Sequence, residues 1–195
     1  MIKLYTDTSA NLPLSLTLQH NITVVPFSYS VNSIEATYSD KTDFDGKAFY
    51  DAMRNGAKVR TSMIGVGTFI DFFTESLELG HDVLYIGMSG GISGTANAAS
   101  IAVKELREKY PNANISAIDT CAASLGEGLL VLEAARLISQ GKTFAEVEKR
   151  ILQRKNSMCQ YFTVDNLEYL KRGGRISSAV ALVGTILNIK PLLGR

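Results

Sequence analysis

The chain has 195 residues, of which 46% are hydrophobic and 20% are charged, and its formal net charge is +1. This composition is typical of a folded globular protein and excludes a disordered chain, because enough apolar surface is present to offset the entropy lost on folding. The longest apolar run, residues 179–189, is too short to span a bilayer. Cys121 and Cys159 fit neither a disulfide framework nor a metal pattern. The N-terminus has no signal-peptide pattern, so the sequence predicts a cytoplasmic protein.

Short apolar runs alternate with segments of helical periodicity in the larger, N-terminal part of the chain. The sequence predicts strands at residues 2–6, 23–31, 34–38, 82–88 and 114–119. It predicts four helices, at residues 43–55, 68–79, 95–110 and 122–140. Two further helices are predicted by their starts, one opened by residues 11–13 and one by the capping box at Thr143. This alternation favours an α/β fold with a parallel sheet, which we assign to a lobe at residues 1–156.

The C-terminal part of the chain has a different pattern. Residues 157–195 predict a strand at 159–164, a short helix at 167–171, an apolar helix at 178–187 and a strand start at 189–193. We interpret them as the beginning of a second α/β lobe that is incomplete.

Charge is distributed unevenly along the sequence. Residues 149–195 carry nine basic and two acidic residues, which gives +7, so residues 1–148 carry −6. A solvated basic face explains this excess, and so does an anionic partner such as a phosphate group, an acidic protein or a nucleic acid. No nucleic-acid partner is expected, because the basic residues are not interleaved with aromatic residues that could stack on bases.

Polar residues follow three of the predicted strands at their carboxyl ends, where ligands bind in open α/β sheets. They are Asp7-Thr8-Ser9, residues 89–95 and Asp119-Thr120, and Thr61-Ser62 is predicted in a loop before another helix. Each of these residues also suits a helix cap or a turn. Taken together, they predict a site lined by small hydroxyl groups.

Residues 88–95 combine glycines with hydroxyl residues before a predicted helix. The glycines allow the backbone to approach a ligand, and the helix N-terminus suits an anion. Gly87-Met88-Ser89-Gly90-Gly91 also matches the G-x-S-x-G elbow of serine hydrolases, in which a histidine follows the serine. Here both histidines, His20 and His81, precede Ser89, which makes the hydrolase the weaker alternative.

The run Lys171-Arg172-Gly173-Gly174-Arg175 is the second distinctive segment. Two glycines between two arginines allow both guanidinium groups to turn toward one phosphate or carboxylate. Basic residues at a helix C-terminus followed by a glycine stop explain the same run. No spacing typical of a metal site occurs in the sequence.

These motifs resemble those of the DegV family of bacterial fatty-acid-binding proteins, which includes the FakB subunits of fatty acid kinase. The matching segments are residues 6–13, Val25-Pro26, Thr61-Ser62, Ser93-Gly94-Thr95, Ile118-Asp119-Thr120, Ser124-Leu125-Gly126, residues 164–177 and residues 189–193. Each segment is weak alone, but their number and order make the resemblance specific.

The resemblance implies two α/β lobes with a long-chain fatty acid, such as palmitate, held between them. It places the ligand carboxylate at Thr61 and Ser93 and implies that Arg172 and Arg175 face the phosphate or the partner. The residues expected to flank the ligand are Ser62, Ser89, Gly94 and Thr95. An ATP-dependent kinase subunit would then phosphorylate the carboxylate, so that this chain is a carrier without catalytic residues, metal or cofactor.

The physical chemistry of a fatty acid is compatible with this assignment. About fourteen buried methylenes contribute roughly 11 kcal/mol, and a buried carboxylate needs hydrogen-bond donors such as hydroxyls and helix N–H groups. Ile64, Phe69, Ile92 and residues 179–189 could line the tail, although a role in the core is the more ordinary expectation. Family members are longer than this chain, so the resemblance also implies an incomplete pocket.

Overall fold

The computed structural model describes residues 1–37, 44–177, 190 and 192–194. The strands are β1 (Ile2–Asp7), β2 (Ile22–Val25), β3 (Ser28–Val31), β4 (Ile34–Thr37), β5 (Val59–Ser62), β6 (Asp82–Gly87), β7 (Ile115–Asp119), β8 (Tyr161–Thr163) and β9 (Leu192–Gly194). The helices are α1 (Leu14–Gln19), α2 (Gly46–Arg54), α3 (Val66–Glu78), α4 (Thr95–Lys109), α5 (Leu125–Ser139), α6 (Phe144–Lys155) and α7 (Leu167–Arg172).

The chain divides into two compact units, Met1–Ser157 and Met158–Arg195. The domain boundary that the sequence predicts, between residues 156 and 157, lies one residue from this division and stays a prediction about domain organisation.

A four-stranded sheet with the order β2-β1-β6-β7 forms the centre of the first unit, and all of its neighbouring strands are parallel. Successive side chains of a strand point to opposite faces of the sheet, and both faces are buried. Tyr5 and Tyr85 point into a cluster with Phe69 and Phe73 of α3 and with the alanines of α4. Helix α5 packs against β1 and β6, and α6 packs against α5. The predicted parallel α/β architecture is confirmed.

A second, antiparallel sheet with the order β4-β3-β5 accompanies the parallel one. The sequence predicts one strand at residues 23–31, but Pro26, which has no N–H to donate, lies in the break between β2 and β3. The prediction that Thr61-Ser62 is a loop is wrong, because both residues end β5. Thr61 lies opposite Tyr29, and Ser62 lies opposite Ser28.

Capping side chains set the starts of two helices, one of them where the sequence predicts it. Thr143 and Glu146 form the reciprocal capping box that begins α6. Asp45 caps α2 by accepting the Ala48 N–H, so this helix begins after the predicted start at residue 43.

In the second unit, β8 and β9 pair antiparallel, and the Asn166 side chain caps α7 by accepting the Glu168 N–H. The apolar helix predicted at residues 178–187 lies outside the described residues. Within the described ranges, none of the helices has both the length and the apolar character needed to cross a membrane.

Candidate functional site

The segment between β6 and α4 lies at the carboxyl edge of the parallel sheet and is held by the strands on both sides. The Met88 N–H donates to Asp7 Oδ2 at 3.3 Å, and the Gly90 N–H donates to Asp119 Oδ2 at 3.0 Å. The Ser89 N–H donates to the Ala122 carbonyl at 2.8 Å. We call residues 88–94 the edge loop. Its backbone is therefore fixed by the two carboxylates that end β1 and β7.

Ser93 and Thr95 form a hydrogen-bond relay at the start of α4. The Ile64 N–H donates to Thr95 Oγ1 at 3.3 Å, and the Thr95 and Ser93 hydroxyl oxygens are 2.9 Å apart. Thr95 is fully buried, so its proton needs an acceptor, and Ser93 Oγ provides one. Ser93 Oγ also accepts the Thr95 N–H at 3.3 Å. Ser93 is half-buried, and this arrangement leaves its own proton available to a ligand.

The segment that follows β5 meets the same place. A Cβ on Gly94 would lie 2.8 Å from Met63 Sδ, so glycine permits the close approach of these two segments. Thr61 and Ser62 end β5 with exposed side chains. The structure thus brings the chain just after Thr61 to Ser93–Thr95, and the predicted roles of Thr61, Ser62, Ser89, Ser93, Gly94 and Thr95 in ligand binding stay predictions.

A buried network of polar side chains lies directly under the edge loop. Asp7 Oδ2 accepts the Tyr85 hydroxyl at 2.5 Å, and Asp7 Oδ1 accepts the Ser9 N–H at 2.8 Å. Ser9 Oγ is 2.5 Å from Asp7 Oδ1 and 2.6 Å from Glu127 Oε2. Thr6 donates to Glu127 Oε1 at 3.3 Å. Asp7, Tyr85 and Glu127 are each at most 1% exposed.

Burial changes the acidity of this network. It raises the pKa of Glu127 to about 9, and the charge of Asp7 acts in the same direction. Burial also raises the pKa of Tyr85 well above its ordinary value, again with a contribution from Asp7. Sequence reasoning missed Glu127. The available signal was a single carboxyl group in the apolar segment Leu125–Leu130, flanked by two glycines.

Asp119 ends β7 beside a basic side chain. The Lys155 Nζ donates to the Asp119 carbonyl at 2.7 Å, and Asp119 Oδ1 accepts the Cys121 N–H at 2.7 Å. The end of α6 therefore places an ammonium group at the same edge of the sheet.

For the hydrolase alternative, the described part of the chain places no histidine beside Ser89. Ser89 Oγ accepts the Gly91 N–H at 3.2 Å. His20 precedes β2 and His81 precedes β6, so both histidines lie at the amino edge of the parallel sheet, opposite to Ser89. A six-residue strand separates those edges by about 20 Å. The first glycine of the elbow has a structural role instead, because a Cβ on Gly87 would lie 2.0 Å from the Tyr85 hydroxyl oxygen.

Arg172 and Arg175 lie in the second unit and contact neighbours on their own segment. Arg172 Nε is 3.5 Å from Glu168 Oε1, and its guanidinium lies 5.8 Å from the centre of the Tyr169 ring. Arg175 Nη1 donates to the Gly173 carbonyl. Their predicted role toward a phosphate or a partner stays a prediction.

Several other basic residues of the C-terminal excess form ion pairs. Arg150 and Arg154 both contact Glu133, and Lys190 contacts Asp165 at 2.7 Å. These pairs favour the interpretation of the basic excess as a solvated face. Among the described residues, no group of three or more His, Cys, Asp or Glu side chains is arranged to hold a metal ion.

The family model described as "Uncharacterised protein, DegV family" matches residues 1–194. The chain belongs to the DegV family. A DegV domain-containing protein of Clostridium perfringens is 40% identical over 190 residues, which cover 97% of this chain and 65% of that protein. The chain thus spans about two thirds of the length of the curated relatives it matches.

Solved structures of DegV-family proteins have the same fold. A DegV-family protein from Thermus thermophilus, described by its fatty acid binding, superposes with a TM-score of 0.83 at 33% identity, over 99% of this chain and 67% of that one. DegV from Bacillus subtilis, described as a fatty acid binding protein, superposes with a TM-score of 0.81 at 31% identity and the same coverage. The resemblance seen in the sequence is confirmed at the level of family and fold.

Proposed function

We propose that this chain binds a long-chain fatty acid and holds its carboxylate at the edge loop. The observation that carries the proposal is the hydrogen-bond relay from Ile64 through Thr95 to Ser93, in a chain whose structural relatives are described as fatty-acid-binding. The relay fixes Ser93 Oγ, and with Thr95 as the donor of the bond between the two hydroxyls, the Ser93 proton is left for a ligand. A fixed hydroxyl donor is what an anionic oxygen needs when it leaves water.

The surroundings of Ser93 suit a carboxylate. Helix α4 begins directly after Gly94, so its positive end points at this place, and its first turn holds no acidic residue. Thr61 contributes a second hydroxyl, on an exposed side chain, three residues before the Ile64 N–H that anchors the relay. Ser62, Ser89, Gly94 and Thr95 flank these donors.

The tail of the acid requires apolar contacts. Ile64 and Phe69 are 4% and 0% exposed and belong to the core cluster, so the ordinary interpretation as core residues applies to them. Ile92 in the edge loop is 41% exposed and is therefore available to an acyl chain.

The proposal extends to the fate of the bound acid. The chain is a carrier that presents the carboxylate to a separate ATP-dependent kinase subunit for acyl-phosphate formation, and Arg172 and Arg175 face that phosphate or that subunit. Family resemblance supports this step. No catalytic group of the chain itself is needed for it.

Fatty-acid retention by a double variant tests the site. Thr61→Ala with Ser93→Ala removes both hydroxyl donors, so palmitate retention should fall at least about tenfold, since each hydrogen bond to a charged group contributes about 1.5–3 kcal/mol. The purified chain is loaded with palmitate, gel-filtered, denatured and extracted, and the acid is quantified by mass spectrometry.

A matched double variant controls for the loss of hydroxyls as such. Thr68→Ala lies on the exposed side of α3, and Ser100→Ala removes a hydroxyl that bonds to the Ala96 carbonyl on α4. This control should retain palmitate as the unchanged chain does. Equal retention by the site variant and the control, with both folded, contradicts the assignment of Thr61 and Ser93.

A further inference from the structure

The protons of the buried network can be counted from its geometry. Ser9 Oγ lies 2.5 Å from Asp7 Oδ1 and 2.6 Å from Glu127 Oε2, and both distances require a hydrogen atom between the oxygens. A serine hydroxyl carries one proton. The second hydrogen bond must therefore use a proton that one of the two carboxyl groups supplies.

Asp7 is the carboxyl group that needs no proton. Its oxygens accept from the Ser9 N–H, the Ser9 hydroxyl, the Tyr85 hydroxyl and the Met88 N–H. Four donors match the capacity of an ionised carboxylate. The additional proton is thus on Glu127 Oε2, which donates to Ser9 Oγ, while Ser9 donates to Asp7.

The environment of Glu127 is consistent with a neutral acid. Its side chain is fully buried, and burial together with the Asp7 charge raises its pKa to about 9. Asp7 of β1 and Tyr85 of β6 face the Glu127 side chain. The charge of Asp119 also contributes to the raised pKa of Tyr85. On the side of α5 that meets α6, Arg150 and Arg154 pair with Glu133 instead.

We propose that Glu127 is a positioning residue of the fatty-acid site, acting as a neutral acid that orients Asp7 through Ser9 and thereby holds the edge loop at Met88. This inference rests on the proposed function for its effect on binding. The path contains three hydrogen bonds, from Glu127 to Ser9, from Ser9 to Asp7, and from the Met88 N–H to Asp7. Loss of the Glu127 proton breaks the first bond and places a second negative charge beside Asp7.

The Glu127→Gln variant mimics the protonated acid. In Glu127→Gln, the amide oxygen accepts from Thr6 and the amide nitrogen donates to Ser9, whatever the pH. In Glu127→Leu, the side chain keeps a similar size but neither donates nor accepts. Glu133→Gln, on the same helix, removes a carboxyl group outside the network and serves as the matched control.

The first measurement follows the amide resonances of Ser9 and Met88 by NMR while the 195-residue chain is titrated through the alkaline range. The unchanged chain and Glu133→Gln should show a common transition at both amides, well above the ordinary range of a glutamate. Glu127→Gln should show none. A transition that survives in Glu127→Gln, or none in the unchanged chain, overturns the inference.

The second measurement is palmitate retention by the same set of variants. Glu127→Gln should retain palmitate as the unchanged chain does, and Glu127→Leu should retain it about tenfold less well, because Ser9 loses its donor and Asp7 its orientation. Equal retention by both variants overturns the positioning role. If Glu127→Leu does not fold, the amide titration decides. If the unchanged chain retains no palmitate while the Met88 transition is lost in Glu127→Gln, the proposed function fails and the hold on the edge loop stands.

Discussion

Gly87 lies two residues beyond Tyr85 on the same face of β6, and a Cβ at this position would lie 2.0 Å from the Tyr85 hydroxyl oxygen and 2.2 Å from the ring carbon that bears it. No L residue fits there unless the ring moves. The ring is fixed by its hydrogen bond to Asp7 and by its edge contact with Phe69, whose ring centre is 4.9 Å away. The first glycine of the G-x-S-x-G match is therefore required by packing.

Gly87→Ala should lower the free energy of unfolding by about 1–3 kcal/mol, because the methyl group overpacks a closed core and displaces the Tyr85 hydroxyl from Asp7. Urea denaturation followed by circular dichroism measures this change. Gly67→Ala in α3 is the matched control, since a Cβ there meets no atom within 4 Å, and it should leave stability unchanged or raise it by up to about 1 kcal/mol. Equal effects of the two substitutions would show that the space beside Tyr85 is not limiting.

Among the helices, α6 has the clearest local start signal. Thr143 Oγ1 accepts the Glu146 N–H, and the Glu146 carboxylate accepts the Thr143 N–H at 2.8 Å. The carboxylate also accepts from the Thr143 hydroxyl and from Lys142. The bonds that it accepts lower the pKa of Glu146 to about 2, the backbone N–H of Thr143 having the largest effect. Both partners of each bond lie within four residues, so the sequence contains all the information needed to predict them.

Thr143→Ala should destabilise the start of α6 by about 1 kcal/mol, because the first-turn N–H groups lose their side-chain acceptor. Amide hydrogen exchange is the suitable measurement, with faster exchange expected in the first turn of α6 and unchanged exchange in α4. Thr143→Ser, which retains the acceptor, should exchange like the unchanged chain. Faster exchange in Thr143→Ser equal to that in Thr143→Ala would contradict the capping role.

The elements that the sequence fails to predict depend on distant contacts. Residues 59–62 form β5 only because β3, about thirty residues earlier, supplies the pairing partner, with Thr61 opposite Tyr29. Glu127 sits in a helix predicted correctly, but its burial depends on Thr6 and Ser9, which are 121 and 118 residues away. Strand ends, by contrast, follow from hydrophobic pattern, which is why Asp7, Ser89 and Asp119 are correctly predicted to lie at one edge.

Among the described residues, the carboxyl groups whose pKa values are shifted fall into two classes, and their contributions to stability depend on pH in opposite directions. The pKa values of Asp51, Asp165 and Glu168 are lowered mainly by hydrogen bonds from lysine side chains, and that of Glu146 is lowered by its capping bonds. These groups lie at the surface, and the stability they contribute is lost as the pH falls from their ordinary pKa values through the lowered ones. The pKa of Glu127 is shifted the other way, so the stability that Glu127 contributes is lost as the pH rises into the alkaline range.

The direction in which Glu127 makes stability depend on pH follows from the proton that the folded chain holds. Its pKa rises from 4.5 to about 9 on folding, so between those values the folded chain holds a proton that the unfolded chain has released. Raising the pH across this window therefore favours unfolding, by up to about 1.4 kcal/mol per pH unit. The contribution is complete below about pH 4.5 and is lost as the pH passes through about 9.

Urea denaturation at a series of pH values from about 6 to about 9 measures this dependence as a slope. The unchanged chain should lose stability steadily over that range, and Glu127→Gln, which has no proton to lose at this position, should show a shallower slope. Glu133→Gln removes the carboxylate that pairs with Arg150 and Arg154 and leaves the buried network intact, so its slope should match that of the unchanged chain. A slope that is the same in all three proteins would contradict the raised pKa that burial beside the Asp7 carboxylate gives Glu127 in the folded chain.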